Sequence, residues 1–380
     1  MTALADVRLV CLAPDAVVPP ANGSAARTVG LAAAVRPHLA GVTIHSFSPA
    51  PQPAHGLDGL DVVHIQTPTA GVARARYLAE AMLGPALGFR FPRRLDEHAL
   101  VQLESPLLFE AARRAGLGRF ILDAHNVYQD MAAFPQASLG DRVFYRLTRR
   151  RQARMEAACW ARAAHVIFCS AVDRDRAERL LPGVAAKSSI VPNCVDVGRF
   201  TPRPPAAFAR GGPVLFMGTT RYPPNFFAIQ EICRDVAPAL PDLEFHIVGD
   251  AVWAPAVVPP NVRFLGRVES TAEPLAAAQV AIAPVRHGSG TRLKLLEYFA
   301  AGLPVVCTAK AAEGIAVEDG RHLRLVDTPT EMVAAVRALH ADAPACAALG
   351  AAARALVRER YDWRAQVPGL LEVYAARASD

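Results

Sequence analysis

The sequence predicts an α/β protein made of two Rossmann-like domains that face each other across a cleft. The chain has 380 residues, of which 52% are apolar and 20% charged, which fits a globular protein long enough for two domains. Short apolar runs alternate with helix-like stretches, the pattern of βαβ units and parallel sheets. The alternation breaks between residues 190 and 212, where prolines disfavour both a helix and a central strand. We place the domain boundary there.

Nine apolar runs are predicted as strands. Those before the proline-rich segment are 7–12, 42–47, 62–66, 120–124 and 166–170. Those after it are 214–218, 244–249, 280–284 and 304–308. Because ligands bind at the carboxyl ends of parallel strands, the residues that follow these runs are the first candidates for a site.

The basic excess of the chain is confined to its first half. The formal net charge is +6, and residues 1–200 hold 23 basic against 17 acidic side chains. A basic helix is predicted there, with the arginines Arg142, Arg146, Arg149, Arg150, Arg151 and Arg154. It is either a solvated helix face or a surface for an anionic partner such as a membrane. No stacking aromatics or DNA-binding module accompany it, so a nucleic-acid partner is not expected.

Cysteine spacing and hydropathy indicate the compartment. The seven cysteines include no CxxC pair, so neither a disulfide framework nor a zinc site is predicted. No apolar run reaches the roughly 20 residues of a spanning helix, and the amino end lacks a signal-peptide pattern. We expect a cytoplasmic protein, with peripheral contact at the inner face of the membrane as the alternative.

The strongest local motif is RHGSGTRLKLLEYFAAGLPVV at 286–306, a glycine-rich turn between a predicted strand and a predicted helix. Gly288 and Gly290 let the backbone approach an anion closely, and the start of the helix offers free N–H groups. Arg292 and Lys294 add positive charge beside it. The motif therefore predicts a site for a diphosphate.

Two further features fit a nucleotide at this site. Glu297, one turn into the helix, can accept hydrogen bonds from ribose hydroxyls. The alternative is a glutamate on a surface helix. The loop GTTRYPPN, from Gly218 to Asn225, follows the first strand of the second domain and carries Arg221, which can pair with the same phosphates.

In the first half, polar residues follow two predicted strands. Asn22, Gly23 and Ser24 form a small-residue turn, which is either ligand-facing or a plain flexible loop. His125 and Asn126 follow the next candidate strand in the motif DAHNV. Catalytic groups collect at such a sheet edge, although a structural histidine is the alternative.

Two other motifs are interpreted as structural. Asp173 and Asp175 spell DxD, which can hold a divalent metal on a diphosphate, but they follow Ser170, a residue typical of helix caps. They therefore predict the acidic first turn of a helix. The stretch GSGTRL has Leu293 where a dinucleotide loop has its third glycine, which disfavours a nicotinamide enzyme.

Together these motifs resemble those of the retaining GT-B glycosyltransferases of family 4 (glycosyl transferases group 1). The matching stretches span most of residues 190–365: VPNCVDVGRF, VLFMGTTRYPPN, LEFHIVGD, NVRFLGRV, APVRHGSGTRLKLLEYFAAGLPVVCT and AAEGIAVEDG. The amino half matches weakly, through its NGS turn and DAHNV. The resemblance implies the GT-B fold, with an acceptor-binding domain over 1–195, a donor-binding domain over 196–360 and a last helix over 361–380 that crosses back to the first domain.

The resemblance also implies a role for each candidate residue. The catalytic set is His125, which contacts the transferred sugar, with Arg221 and Lys294 on the donor diphosphate. The other donor contacts are Gly23, Gly218, His287, Gly288, Ser289, Gly290, Thr291 and Glu297, of which Glu297 holds the ribose. The acceptor contacts are Asn22, Ser24 and Asn126. No metal or other cofactor is expected, because fixed charges and N–H groups stabilise the leaving group.

Two positions depart from the family pattern. The family's first glutamate lies eight residues before its second, which is Glu297 here, and Ser289 takes that place. A serine can hydrogen-bond a sugar but cannot act as a charged stabiliser. Asn225 lies close to the place of a usual lysine. The donor sugar is therefore not inherited from the family.

The expected activity is retaining transfer of a sugar from a nucleoside diphosphate sugar, above all a UDP-sugar, to an acceptor hydroxyl. The expected setting is polysaccharide, glycolipid or secondary-metabolite biosynthesis. A nucleotide-sugar 2-epimerase on the same fold and a catalytically silent nucleotide-sugar-binding protein are the alternatives. The acceptor, a small molecule or a lipid-linked one, depends on residues 67–98, which carry no readable motif.

Overall fold

The chain folds into two compact units. A computed structural model describes residues 4–18, 20, 22–48, 59–66, 98–127, 139–251, 255, 257–288 and 290–378. The first unit comprises Met1–Asn193 with Trp363–Asp380, and the second comprises Cys194–Asp362. The limits predicted at residues 195 and 360 each lie two residues from those of the structure.

A seven-stranded parallel sheet forms the centre of the first unit. Its strands are β1 (Arg8–Ala13), β2 (Gly41–Ser48), β3 (Asp61–Gln66), β4 (Leu100–Leu103), β5 (Ile121–Ala124), β6 (His165–Phe168) and β7 (Ser188–Ile190). They are arranged in the order β3-β2-β1-β4-β5-β6-β7. The order reverses between β1 and β4, so the residues that follow these two strands meet at the switch point where such sheets bind ligands.

Within the described part of the first unit, the helices between these strands are α1 (Gly23–Val35), α2 (Phe109–Arg114), α3 (Leu139–Arg162) and α4 (Ala171–Leu180). Central strands such as β5 are buried along their whole length, as continuous apolar runs covered on both faces should be. The core beside them includes Trp160, which packs edge-on against Phe168. The predicted arginine-rich helix corresponds to α3.

The second unit repeats the same design with six parallel strands. They are β8 (Val214–Met217), β9 (Phe245–Val248), β10 (Val262–Gly266), β11 (Val280–Ala283), β12 (Val305–Cys307) and β13 (Arg324–Leu325). The order is β10-β9-β8-β11-β12-β13. Here the reversal lies between β8 and β11, which brings together the two loops that the sequence motifs single out.

The helices of the second unit are α5 (Pro205–Phe208), α6 (Pro223–Glu231), α7 (Ala272–Ala277), α8 (Leu293–Ala300), α9 (Pro329–Ala341) and α10 (Ala343–Arg360). Helix α6 runs on into a π-helical turn at Ile232–Val236. Thr328 and Glu331 form a capping box that fixes the start of α9.

The last helix, α11 (Val367–Ala378), packs in the first unit against α1. Trp363, just before it, lies over Gly30 of α1 so closely that a Cβ at Gly30 would overlap the indole ring. Tyr374 is 1% exposed and donates a hydrogen bond to Gln102 of β4 at 2.9 Å. The end of the chain is thus part of the first unit's core.

All nine predicted strands form, and the described residues contain four further strands that were not predicted. Strands β7 and β13 are too short to show a pattern, and β10 has alternating exposure at a sheet edge. The missed strand that matters is β4, at the centre of the first sheet. Gln102 interrupts its four residues, so no apolar run marks it in the sequence.

Two sequence expectations can be compared directly with the fold. All seven cysteines are buried and unpaired, as predicted. Within the described residues, no single helix is long and apolar enough to cross a membrane. The pair α9 and α10 meets the length and composition test only jointly, and it is bent by 104°.

Replacing Gly30 with Ala should lower the free energy of unfolding by about 1 to 2 kcal/mol, because overpacking against Trp363 outweighs the better helix propensity of alanine. Urea unfolding followed by circular dichroism measures the change. Gly369→Ala is the matched control. No atom lies within 4 Å of a Cβ there, so that variant should be as stable as the parent or slightly more so. Equal stability of the two variants would contradict the packing of Trp363 on α1.

Candidate active site

The first cluster of candidate residues lies at the switch point of the first sheet and is organised by a buried ion pair. Arg27, on α1, is 1% exposed, and its Nε and Nη2 atoms each lie 2.8 Å from a different oxygen of Asp123 on β5. Its Nη1 atom donates to the Pro192 carbonyl at 3.0 Å and to Asn193 at 3.1 Å. Arg27, which follows the predicted ligand-facing turn, is therefore a structural group.

His125, directly after β5, is 7% exposed and has both ring nitrogens engaged. Nε2 lies 3.1 Å from Glu104 and 3.4 Å from Asp123, and Nδ1 lies 2.8 Å from the hydroxyl of Ser24. Burial alone would lower the histidine pKa, but the carboxylates of Asp123 and Glu104 outweigh it and raise the pKa to about 9. The ring is therefore an imidazolium that donates from both nitrogens at neutral pH.

Glu104 is the residue of this cluster that sequence reasoning missed. It is fully buried directly after β4 and accepts hydrogen bonds from Gln102 at 2.8 Å and from Thr28 at 3.0 Å. In the sequence, Glu104 is marked only as a charged residue followed by serine in LVQLES. This pattern indicates a site only if the strand before it is recognised. Because β4 adjoins β1 and β5, the topology places Glu104 beside His125.

The polar turn after β1 is the start of α1. Asn22 is the N-cap, and its side-chain oxygen accepts from the Ala25 N–H at 2.8 Å, so the helix cap occupies that atom. Gly23 is exposed and Ser24 is half-buried. Asn126, beyond His125, is also half-buried. Of the turn residues, the structure joins Ser24 to the histidine.

Glu104, Asp123 and His125 present oxygen and nitrogen atoms within 4.8 Å of one another, close enough to suggest a metal site. Arg27 already takes both oxygens of Asp123, and the histidine carries a proton on the nitrogen that faces the carboxylates. The Asp123 carboxylate is therefore already paired with a cationic side chain, and in the structure the three residues belong to a network of hydrogen bonds and ion pairs. The DxD stretch lies in α4, where Ser170 caps the helix and bonds Asp173 at 2.7 Å, as predicted.

The second cluster lies at the switch point of the second sheet and includes the glycine loop. Gly288 and Gly290 have φ of +101° and +77°, a conformation that glycine adopts without strain. Ser289 lies outside the described residues. The loop touches the loop after β8, because a Cβ at Gly288 would meet the Tyr222 hydroxyl. His287 and Thr291 flank the loop, half-buried and buried respectively.

Arg292 lies against the glycine loop itself, so its charge is beside the loop, as the sequence predicts, while its donors bond the loop's own carbonyls. It is 8% exposed, and its guanidinium donates to the Gly290 carbonyl at 2.6 Å and to the His287 carbonyl at 3.0 Å. Arg286, at the other end of the loop, pairs with Glu231 of α6 at 2.7 and 2.8 Å. Two arginines therefore hold the loop's shape from within.

Lys294, in the first turn of α8, is a third basic side chain beside this loop, after Arg286 and Arg292. Its Nζ atom donates to Asn225 at 2.7 Å and lies 4.1 Å from the centre of the Phe216 ring. Burial, with a smaller contribution from Arg292, lowers its pKa to about 7, although Glu297 opposes the shift. A Cβ at Gly218 would approach Asn225 and Lys294 within 2.8 Å, which explains the glycine there.

Glu297 and Arg221 complete the predicted donor set. Burial raises the pKa of Glu297 to about 7, although Arg199 and Lys294 oppose the shift. No hydrogen bond joins its carboxyl group to a described residue. Arg221 is exposed on the loop after β8. Both side chains are thus available for a ligand.

Replacing Arg27 with Met should lower the free energy of unfolding by about 3 to 5 kcal/mol, because the buried Asp123 carboxylate loses both hydrogen bonds from Arg27 and keeps only His125, 3.4 Å away, as a cationic neighbour. Chemical denaturation measures the change. The double variant Arg27→Met/Asp123→Leu, in which no buried charge is left over, should recover part of the loss. A double variant less stable than Arg27→Met would show that the ion pair is not the source of the effect.

Comparisons with known proteins concern the family domain and the fold. Residues 212–342 match the model of the family described as glycosyl transferases group 1. No curated protein sequence gives a significant match.

Solved structures match over the whole length of the chain. Anabaena Alr3699/HepE in complex with UDP-glucose is 14% identical, with a TM-score of 0.67 over 97% of this chain and 99% of that one. Sucrose-phosphate synthase from Thermosynechococcus elongatus is 16% identical, with a TM-score of 0.70 over 97% and 98%. WaaG, a glycosyltransferase involved in lipopolysaccharide biosynthesis, is 15% identical, with a TM-score of 0.65 over 96% and 98%.

These structural matches show the fold, and the family match identifies the domain that the second unit contains. The chain has the two-domain GT-B fold, and with a glycosyl transferases group 1 domain over residues 212–342 it is a glycosyltransferase.

Proposed function

We propose that the protein transfers a sugar from a UDP-sugar to an acceptor hydroxyl, with retention at the anomeric carbon and without a metal ion. The carrying observation is the site after β8 and β11. It combines two glycines of positive φ, a lysine that pairs with no carboxylate among the described residues and a glutamate whose carboxyl group bonds none of them. A diphosphate joined to a ribose has the complementary charges and hydroxyls.

Lys294 is suited to hold the diphosphate because its present surroundings stabilise its charge poorly. The Asn225 oxygen offers a dipole and the Phe216 ring a weak cation–π contact, which do not replace bulk water. A phosphate oxygen brings a full negative charge and restores the protonated form. Arg221 on the neighbouring loop adds a second charge, and the N–H groups at the start of α8 add dipoles.

The remaining residues keep the roles that the family resemblance implies. Glu297 accepts hydrogen bonds from the ribose hydroxyls, and the glycines and flanking residues of the two loops contact the donor, as does Gly23. His125 serves the transferred sugar, and Asn22, Ser24 and Asn126 serve the acceptor. Two of these proposals meet competing contacts, because the Asn22 oxygen already caps α1 and both His125 nitrogens are engaged.

In the proposed reaction, the bond between the anomeric carbon and the diphosphate oxygen breaks as the acceptor oxygen bonds to the same face of that carbon. The acceptor's proton passes to the departing phosphate. Fixed charges stabilise the leaving group, so no cation is required. This front-face route is favoured because no carboxylate is identified as a nucleophile.

The choice of UDP rests on similar structures. The Anabaena protein is described in complexes with UDP, with UDP and glucose, and with UDP-glucose. We propose the same base here, with a small-molecule or lipid-linked acceptor. A cytoplasmic location is part of the same proposal, with peripheral membrane contact through the basic first half as the alternative.

Calorimetry with UDP, GDP, ADP and their glucose conjugates, with and without EDTA, tests the proposal. We expect UDP to bind at micromolar strength whether or not EDTA is present. Arg221→Ala and Lys294→Gln should each weaken it by roughly 10- to 100-fold, because a charge-assisted hydrogen bond contributes about 1.5 to 3 kcal/mol. Arg358→Ala, a surface arginine on α10, is the control and should bind UDP normally. Binding of no nucleotide, or binding abolished by EDTA, contradicts the proposal.

The affinity for UDP should fall as the pH rises from about 6.5 to 8.5. Below its pKa of about 7, Lys294 is already charged, whereas above it binding requires the uptake of a proton. Glu297 loses its proton in the same interval, which adds negative charge near the phosphates but strengthens its acceptance of the ribose hydroxyls, so its two effects oppose each other. The decrease due to Lys294 is limited to tenfold per pH unit. Lys294→Gln should remove the lysine contribution, and an unchanged pH dependence in that variant would contradict this assignment.

A further inference from the structure

Five side chains form a continuous hydrogen-bonded chain from the last helix of the first unit to its first helix. Tyr374 donates to Gln102 Oε1 at 2.9 Å, and Gln102 Nε2 donates to Glu104 Oε1 at 2.8 Å. Glu104 Oε2 lies 3.1 Å from His125 Nε2, and His125 Nδ1 lies 2.8 Å from Ser24 Oγ. The four residues behind Ser24 are all buried.

The chemistry of the groups fixes the direction of each bond. A carboxylate only accepts, so the amide nitrogen of Gln102 and the Nε2–H of His125 must both donate to Glu104. The amide oxygen of Gln102 then faces the other way and needs a donor. Tyr374 supplies it. Burial keeps the tyrosine pKa well above its usual value, so its O–H stays protonated.

We propose that Tyr374 is a positioning residue for His125 and, through it, for the hydroxyl of Ser24. The inference rests on the proposed function in taking these two residues as part of the sugar-transfer site. Without the tyrosine O–H, the buried Gln102 amide oxygen loses its donor, so the amide is held by its bond to Glu104 alone and rotates or shifts more readily. A rotated amide would place oxygen against oxygen and displace the carboxylate from the histidine.

The consequence for Ser24 follows from the protonation of His125. When the ring is neutral and carries its proton on Nε2, Nδ1 is unprotonated, and the Ser24 O–H must donate its hydrogen bond to Nδ1. An imidazolium donates from Nδ1 to the serine oxygen instead, which frees the serine O–H to donate to a ligand oxygen. Ser24 is half-buried whereas His125 is 7% exposed. The ligand-facing end of the chain is therefore the serine.

The charge of His125 depends on groups from every element around it. Asp123 of β5 and Glu104 after β4 favour the charged form, whereas Arg27 of α1 pairs with Asp123 and so moderates its effect. Burial raises the pKa of two neighbouring thiols, Cys11 of β1 and Cys169 after β6, so both are neutral. Glu104 is the member of this set that Tyr374 controls.

Histidine NMR of the full chain tests the inference without requiring turnover. The protein is labelled with ¹⁵N-histidine, and a His125→Gln sample assigns the signal. In the parent, His125 should titrate well above free imidazole. In Tyr374→Phe, which keeps the ring and removes the O–H, its pKa should fall by about half a unit or more. The matched control is Tyr361→Phe, whose hydroxyl is also buried but accepts from the Ala316 N–H in the second unit. It should leave the His125 pKa unchanged.

The kinetic arm uses a UDP-sugar that the calorimetry identifies. Tyr374→Phe should lower kcat about tenfold, with the KM for the donor changed less than about twofold, because the serine direction matters to the reacting sugar more than to nucleotide binding. Its pH–rate profile should shift with the His125 pKa. If the role of Tyr374 were only structural, Tyr374→Phe and Tyr361→Phe would both have lower unfolding midpoints. The pH–rate profile of Tyr374→Phe would then not shift.

Each outcome decides one of the two proposals. A lowered His125 pKa in Tyr374→Phe supports the positioning role, even if no nucleotide sugar is turned over, in which case the proposed function alone fails. An unchanged His125 pKa, or an equal fall in Tyr361→Phe, overturns the positioning role, even if transfer is measured. Should Tyr374→Phe fail to fold, Gln102→Met breaks the next link of the chain. It must lower the His125 pKa in the same way, or the role is again overturned.

Discussion

The ion pair between Arg27 and Asp123 is the constraint on which the first unit depends. It joins the first helix to the centre of the sheet through two hydrogen bonds, in a place where neither charge reaches water. Such a pair is seldom retained for stability alone, since a well-packed apolar pair often does as well. Here it ties α1 to the end of β5. It also lowers the pKa of Asp123, and the resulting carboxylate keeps His125 beside it charged.

In the second unit, the charged side chains around the candidate site are arranged differently. Arg292 and Arg286, on either side of the glycine loop, bond two backbone carbonyls and Glu231 respectively. Lys294 bonds no acidic side chain among the described residues, and Arg221, on the loop after the first strand of the unit, is exposed. If the proposed anion binds there, restoring the lysine proton is part of the binding step.

Periodicity and motif order were enough to predict two parallel sheets and the glycine loop, because continuous apolar strands and glycine turns are local signals. The cluster around His125 was only half predictable. Glu104 follows a four-residue strand with a glutamine in it, and its importance comes from β4 lying between β1 and β5, which no local pattern encodes. Arg292 shows a different limit of sequence analysis. An arginine next to a glycine loop can bond either the carbonyls of the loop or a ligand, and the sequence does not distinguish the two.

The order of synthesis gives the last helix a further significance. The first unit is discontinuous in sequence, and its closing segment, from Trp363 onward, leaves the ribosome only after the whole second unit. Until then β4 lacks Tyr374, and Gly30 faces an open groove where Trp363 will pack. The second unit, continuous from Cys194 to Asp362, can complete its core during translation. The first unit can acquire its finished histidine site only after release of that last segment.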